Sequence, residues 1–196
     1  MTNNSSATSL SARERLLEAA SILFYNDGIA ATGIDSITRR AGVAKQSLYN
    51  NFSSKADLVA TYLEIRHEEW LALYQKRLAN KTQPEEKILA VFEAYEDHAE
   101  FAYEHGFRGC GLLNAAAELP ANDPGRVTVR KHKEQIEGFL ADHLTCLIHD
   151  DEIRVHALAR HLSFILEGAI TRAGLEGNSH QMREAKDLVT TLLKNL

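Results

Sequence analysis

Residues 41–55 read AGVAKQSLYNNFSSK. They hold two lysines (Lys45, Lys55), three amides (Gln46, Asn50, Asn51), three serines (Ser47, Ser53, Ser54) and Tyr49, but no acid. Donors this dense suit hydrogen bonding to phosphate oxygens and base edges. Lysine donates to guanine O6 and N7, and glutamine or asparagine pairs with adenine. Hydroxyls and ammonium groups on phosphate fix position without reading sequence. The missing carboxylates fit a polyanionic partner. The rest of the chain is different: residues 1–55 carry six lysines and arginines against four acids (+2), and the remainder carries 16 against 23 (−7), for a net charge of −5. A basic head on an acidic body is the pattern.

Beyond residue 55 no spacing suits catalysis, and the chain does not read as an enzyme. There is no phosphate-cradling loop, no GxSxG and no HExxH; His67-Glu68-Glu69 lacks the second histidine. His98 and His105 lie seven apart on one expected helix, and Glu100, Cys110 and His143 complete an imaginable ligand set. Its members come from separate segments whose convergence the sequence does not specify, so no metal and no cofactor is assigned. A metal- or redox-responsive regulator, or a small helical metal-binding enzyme, is the alternative reading. Cys110 and Cys146 lack CxxC pairing and suit thiols in a reducing cytoplasm. An apolar pocket between helices has more support, lined by Trp70, Tyr74, Phe92, Tyr95, Phe107, Leu113 and Phe139. Asn114, His98 and His143 would orient a ligand within it. The same aromatic stripe would equally fill a core.

These side chains need a scaffold, and the chain reads as all-α. Apolar residues recur with helical period, and the only prolines are at 84, 120 and 124. A capping box, Ser11-x-x-Glu14, opens a first helix that stops at Asp27-Gly28. Short helices over about residues 34–41 and 45–50 follow, then a long one from Ser54 to about Ala79. Thr82 and Glu85 open a fifth helix with Pro84 in its first turn, and LLNAAAEL forms a sixth. A seventh runs from Asp123-Pro124 to about Ile148. An eighth extends from Asp150 or Asp151 to Ala173, and Ser179 opens the ninth. No run approaches the roughly 18 apolar residues of a membrane span, so no membrane partner is expected. The start, MTNNSSATS, lacks the apolar segment of a secretory signal. The expected organisation is a disordered tail over 1–10, a DNA-binding helix-turn-helix over 11–54, and a ligand-binding and dimerisation domain over 55–196.

Gly42 joins the second and third helices, where a turn conformation is needed and Ala41 allows close approach. Val43, Leu48 and Phe52 anchor the third helix. Its other face then presents Lys45, Gln46, Ser47, Asn50 and Asn51, with Tyr49 and Lys55 flanking as phosphate contacts.

Residues 16–58, centred on ATGIDSITRRAGVAKQSLYNNFSSKADL, resemble the DNA-binding domain of the TetR family of bacterial transcriptional regulators. The matching features are Ile37-x-x-x-Ala41-Gly42-Val43, Leu48-Tyr49, Phe52 and Ser54-Lys55. The resemblance implies a homodimer with two recognition helices in successive major grooves, and a body that binds an inducer. It places Tyr49 and Lys55 on phosphates and Lys45, Gln46 and Asn50 toward bases. Two positions depart from the pattern. Gly33 stands where a hydroxyl residue commonly caps the second helix, with Thr32 as the substitute, and Ala44 stands where the recognition helix usually begins on Ser or Thr. RGCGLLNAAAELP is also similar to a segment in some TetR-like regulators. Leu158, Leu162, Ile165, Leu166, Ala169 and Ile170, with Met182, Ala185, Leu188, Val189 and Leu192, make the two C-terminal helices amphipathic enough to pair across a two-fold axis. The function expected is a cytoplasmic repressor of double-stranded operator DNA, released by a small-molecule inducer.

Overall fold

The computed structural model describes residues 10–196; the expected disordered tail, Leu10 apart, lies outside the described residues. Among the described residues every regular element is a helix. In chain order they are α1 (Ala12–Asp27), α2 (Ile34–Ala41), α3 (Lys45–Asn51), α4 (Lys55–Leu78), α5 (Pro84–Ala99), α6 (Gly111–Glu118), α7 (Pro124–Thr145), α8 (Glu152–Glu176) and α9 (His180–Leu193). They fall into two compact units, Met1–Tyr62 and Leu63–Leu196, and α4 begins in the first and continues in the second.

In the first unit, Ser11 opens α1 as the capping box requires. Its Oγ accepts from the Glu14 amide at 3.2 Å and its own amide donates to Glu14 Oε2 at 2.7 Å. Gly42, at φ 62° and ψ 39°, turns the chain from α2 into α3, a left-handed conformation that costs a residue with a Cβ about 1–2 kcal/mol. Val43 N–H donates to Thr38 O at 3.1 Å, closing that turn. Leu16, Ile37 and Leu48 are completely buried, and Phe24 and Phe52 nearly so. Burying each such side chain contributes about 1.5–3 kcal/mol. Arg15 Nη1 donates to the carbonyls of Ala41 and Gly42, both at 3.3 Å, tying α1 to the turn.

In the second unit, α5 packs on α7, α8 and α9, α8 on α7 and α9, and α6 on α7. Several boundaries differ from expectation. The capping box of α5 is Gln83 with Glu86, one residue later than Thr82 with Glu85, because Glu86 Oε2 accepts from the amides of both Thr82 and Gln83 at 3.2 Å. Helix α7 stops at Thr145 rather than Ile148. Asp151 caps α8, accepting from the Arg154 amide at 2.9 Å, but Gly174 does not end it. The helix runs through Gly174 to Glu176 and is closed by Gly177 at φ 71°. Gly174 serves packing instead: a Cβ there would lie 2.6 Å from Gly109 Cα.

Only part of the C-terminal face expected for pairing is outward: Leu188 and Leu192 are exposed, and Leu158 and Ile165 half-buried. Leu162, Leu166, Ala169, Ile170, Met182, Ala185 and Val189 are buried within the single chain. The outward large apolar residues are Ile153 (86% exposed), Phe164 (64% exposed) and Leu175 (85% exposed) on α8, with Leu188 and Leu192 on α9. Among the described residues, no helix is long and apolar enough to cross a membrane.

Candidate nucleic-acid interface and interior cavity

Helix α3 is oriented by what it buries. Leu48 sits in the core of the first unit, so Lys45, Gln46, Tyr49 and Asn50, on the other sides of the helix, are exposed, Tyr49 at 48%. Local bonds hold this face in shape. Gln46 Nε2 donates to Asn50 Oδ1 at 3.1 Å, and Asn51 Nδ2 donates to Ser47 O at 2.7 Å, so Ser47 and Asn51 are half-buried and partly committed within the helix. Ala44 is the N-cap of α3 and Gly33 that of α2, neither with a side-chain cap bond.

Three residues stand differently from the sequence reading. Thr32 is only 3% exposed, and its hydroxyl donates to Gly28 O at 2.6 Å; it braces the α1–α2 connection and does not replace the missing cap as a surface phosphate donor. Lys55 is half-buried and its Nζ donates to Ile29 O at 2.6 Å, which leaves an ammonium with further donors. Lys45 is paired: its Nζ lies 2.9 Å from Asp35 Oδ1, and the Asp35 bond holds the lysine pKa above its ordinary value. The donor-rich face therefore has an acid beside it, contributed by α2. Arg39 and Arg40, exposed in the last turn of α2, are basic groups that the sequence reading left out. Their adjacency to the turn was the available signal.

The second unit gathers part of the expected pocket. Trp70, Tyr95 and His98 line an interior cavity with Arg66, Cys110, Gly111, Leu112 and His132. Its open space is about 10 Å³, room for about one water molecule. Tyr74 stacks on Trp70 at 5.5 Å and on Phe139 at 5.0 Å, and its hydroxyl lies 2.7 Å from His143 Nε2. Phe107 packs against His98 at 6.0 Å. Phe92 is fully buried away from the cavity lining. Leu113 and Asn114 line a separate surface groove with Thr171, Gly174 and Leu175, and the Asn114 amide is spent on Arg108 O at 3.0 Å.

The histidines in the cavity wall are neutral. His132 Nδ1 lies 2.8 Å from His67 Nδ1, so one ring donates while the other accepts. Burial first, then the Lys133 charge, pushes the His132 pKa down to about 3; burial, then Arg66 and Lys133, pushes His98 down to about 4. Burial likewise lowers His143 and raises the Tyr74 phenol to about 12. Lys133 Nζ sits 2.9 Å from both Tyr95 Oη and Glu167 Oε1. Burial opposes its charge, but Cys110, Tyr95 and Glu167 outweigh that and keep it protonated. The sequence reading missed His132 and Lys133 because RKHKEQ looks like a solvated face. Helix α5 ends at Ala99, so His105 is on no shared face with His98, and among the described residues no group of three metal-ligating side chains converges.

Residues 16–62 match the family model described as bacterial regulatory proteins, tetR family. Residues 84–189, more than half of the chain, match the tetracyclin repressor-like C-terminal domain. The chain belongs to the TetR family. Members of the TetR family are transcriptional regulators, not enzymes. The crystal structure of SCO4454, a TetR-family transcriptional regulator from Streptomyces coelicolor, aligns with a TM-score of 0.83 and 30% identity over 94% of this chain and 95% of that one. A putative TetR transcriptional regulator from Streptomyces avermitilis aligns with a TM-score of 0.78 and 32% identity over 95% and 98%. Among curated relatives, the transcriptional activator FasR of Mycolicibacterium smegmatis is 36% identical over 52% of this chain and 44% of its own length. The transcriptional repressor KstR2 of the same species is 36% identical over 46% of each. The chain thus spans about half the length of the curated relatives it matches.

Proposed function

We propose that this chain is a cytoplasmic, homodimeric repressor that binds a two-fold-symmetric DNA operator and leaves it when a small molecule enters the second unit. In this reading residues 11–54 are the DNA-binding domain and residues 55–196 the ligand-binding and dimerisation domain. The observation that carries it is the exposed face of α3, where Lys45, Gln46, Tyr49 and Asn50 stand over a buried Leu48. Lys45, Gln46 and Asn50 read base edges, and Tyr49 and Lys55 hold phosphates. A two-fold operator follows from two identical readers in one dimer. Phe164, Gly168, Thr171 and Leu175 recur at helical spacing on α8 and, with Leu188 and Leu192 of α9, supply an apolar face for a second copy. The sign proposed is repression, as in KstR2; FasR is an activator.

Helix α4 supplies the coupling. It is continuous from Lys55, beside α3, to Leu78, and carries Trp70 and Tyr74 at the cavity end. A ligand that favours one placement of α4 changes the spacing of the two α3 helices, and operator affinity falls by the ligand's differential affinity for the two states. The test is gel-shift titration across operator variants. Lys45→Ala and Gln46→Ala change which bases are preferred, whereas Tyr49→Phe and Lys55→Ala weaken binding to all sequences alike. Identical base preferences for all four variants would contradict the assignment. A reporter gene behind the operator gives the sign: expression rises on deletion of a repressor and falls on deletion of an activator.

A further inference from the structure

The indole of Trp70 is 4% exposed, lines the interior cavity, and its Nε1–H meets no protein acceptor. A buried donor without an acceptor costs about 1–3 kcal/mol, and native proteins keep such groups only rarely. The groups around it do not relieve it. Tyr95 Oη already accepts from Lys133 Nζ at 2.9 Å and lies 3.4 Å from His132 Nε2, while His132 Nδ1 is engaged with His67. Arg66, ion-paired with Glu69, is the charged residue of the lining, and Lys133, ion-paired with Glu167, adds its charge at His98 and His132. The walls are ring faces and edges, Trp70 to Tyr95 at 5.3 Å and Trp70 to His132 at 5.5 Å, with Leu112 adding an apolar side.

We infer that the ligand of this site is a small planar aromatic compound bearing a carbonyl or carboxylate acceptor, which takes the Trp70 Nε1–H. The inference rests on the ligand-responsive reading above and names the chemistry that reading leaves open. The ring slots between aromatic walls and the acceptor lies in the positive field of Arg66 and Lys133; a cationic amine is refused by the same field. Because the open space is about 10 Å³, entry requires the Cys110–Gly111–Leu112 wall at the start of α6 to move outward. This short helix follows a connection containing Gly106 and Gly109, both at positive φ.

Trp70 is the single tryptophan of the chain, so its emission reports on this cavity alone. Benzoate, benzamide and benzylamine are titrated into the full-length protein. The expected result is a saturable change in emission with benzoate and benzamide, and none with benzylamine at tenfold higher concentration. Trp70→Phe, read by calorimetry, weakens benzoate at least about fivefold, the loss of one hydrogen bond. Equal response to benzylamine, unchanged benzoate affinity in Trp70→Phe, or no saturable response to any probe would overturn the inference; in the last case the indole is met by a trapped water. The wild-type comparison stands even if the variant misfolds. Binding of benzoate without loss of operator affinity would uphold this site and sink the regulatory reading. Operator release by a compound that leaves Trp70 emission unchanged would do the reverse.

Discussion

The exposed face of α3 and the residues around the second unit's cavity both carry hydrogen-bonding side chains, yet they are built on opposite terms. On α3 the bonds reach a partner one turn away, as Gln46 to Asn50 and Asn51 to the Ser47 carbonyl, or the adjoining helix, as Lys45 to Asp35. In the second unit the bonds reach across the chain: His67 to His132, Tyr74 to His143, Lys133 to Tyr95. A surface made of local contacts stays wet and ready for a partner, and salt screens it. A buried network is rigid, sensitive to pH and costly to leave unsatisfied. The contrast is between a solvated face held by local bonds and a closed interior held by bonds between distant segments.

The largest way to break this comparison is to remove the anchor under α3. Leu48→Ala, at a fully buried position, is expected to cost about 2–5 kcal/mol and abolish specific DNA binding while leaving Trp70 emission native. Loss of native emission would show that the two units do not stand apart energetically. Next is Gly174→Ala, whose Cβ would lie 2.6 Å from Gly109 Cα; overpacking of about 1–3 kcal/mol should lower the melting temperature. Gly138→Ala, inside α7 with nothing within 4 Å, should be neutral or stabilising by up to about 1 kcal/mol.

Acid sharpens the difference further. All nine histidines lie beyond residue 66, so histidine titration acts on the second unit alone. His98, His132 and His143 have folded pKa values below the ordinary 6.5, so the unfolded chain binds protons that the folded chain excludes. Their contribution is fully present above pH 6.5 and is lost as pH falls through 6.5 toward about 4 for His98 and about 3 for His132. Melting of the second unit should therefore drop across that window, and His132→Phe should flatten the drop. The smallest effect concerns Asp35→Asn, which frees Lys45 and removes a carboxylate from beside the exposed face of α3. Operator affinity should rise modestly, with a steeper salt dependence than the parent.

The two regions also differ in how much of them the sequence discloses. The helices, the Gly42 turn and the exposed set on α3 follow from period and spacing, because each depends on residues a few positions apart. Thr32 escaped because its hydroxyl is claimed by a carbonyl four residues back, Gly28 O, which its residue type does not announce. Asp35 escaped because it reaches Lys45 from the preceding helix. In the second unit, His132 and Lys133 sit in a charged run yet face inward, since the packing of α5 and α8 against α7 decides which side of α7 is core. Leu113 and Asn114 fell outside the cavity for a similar reason: the close approach of Gly109 and Gly174 places them at a surface groove.

Selection of preferred sites from a randomised DNA duplex pool, run in parallel with the wild-type chain and Gln46→Ala, tests the central claim most directly. The wild type should enrich a two-fold-symmetric site, and the variant a site of the same spacing with altered bases in each half. Enrichment of no sequence, or of the same sequence by both proteins, would contradict it.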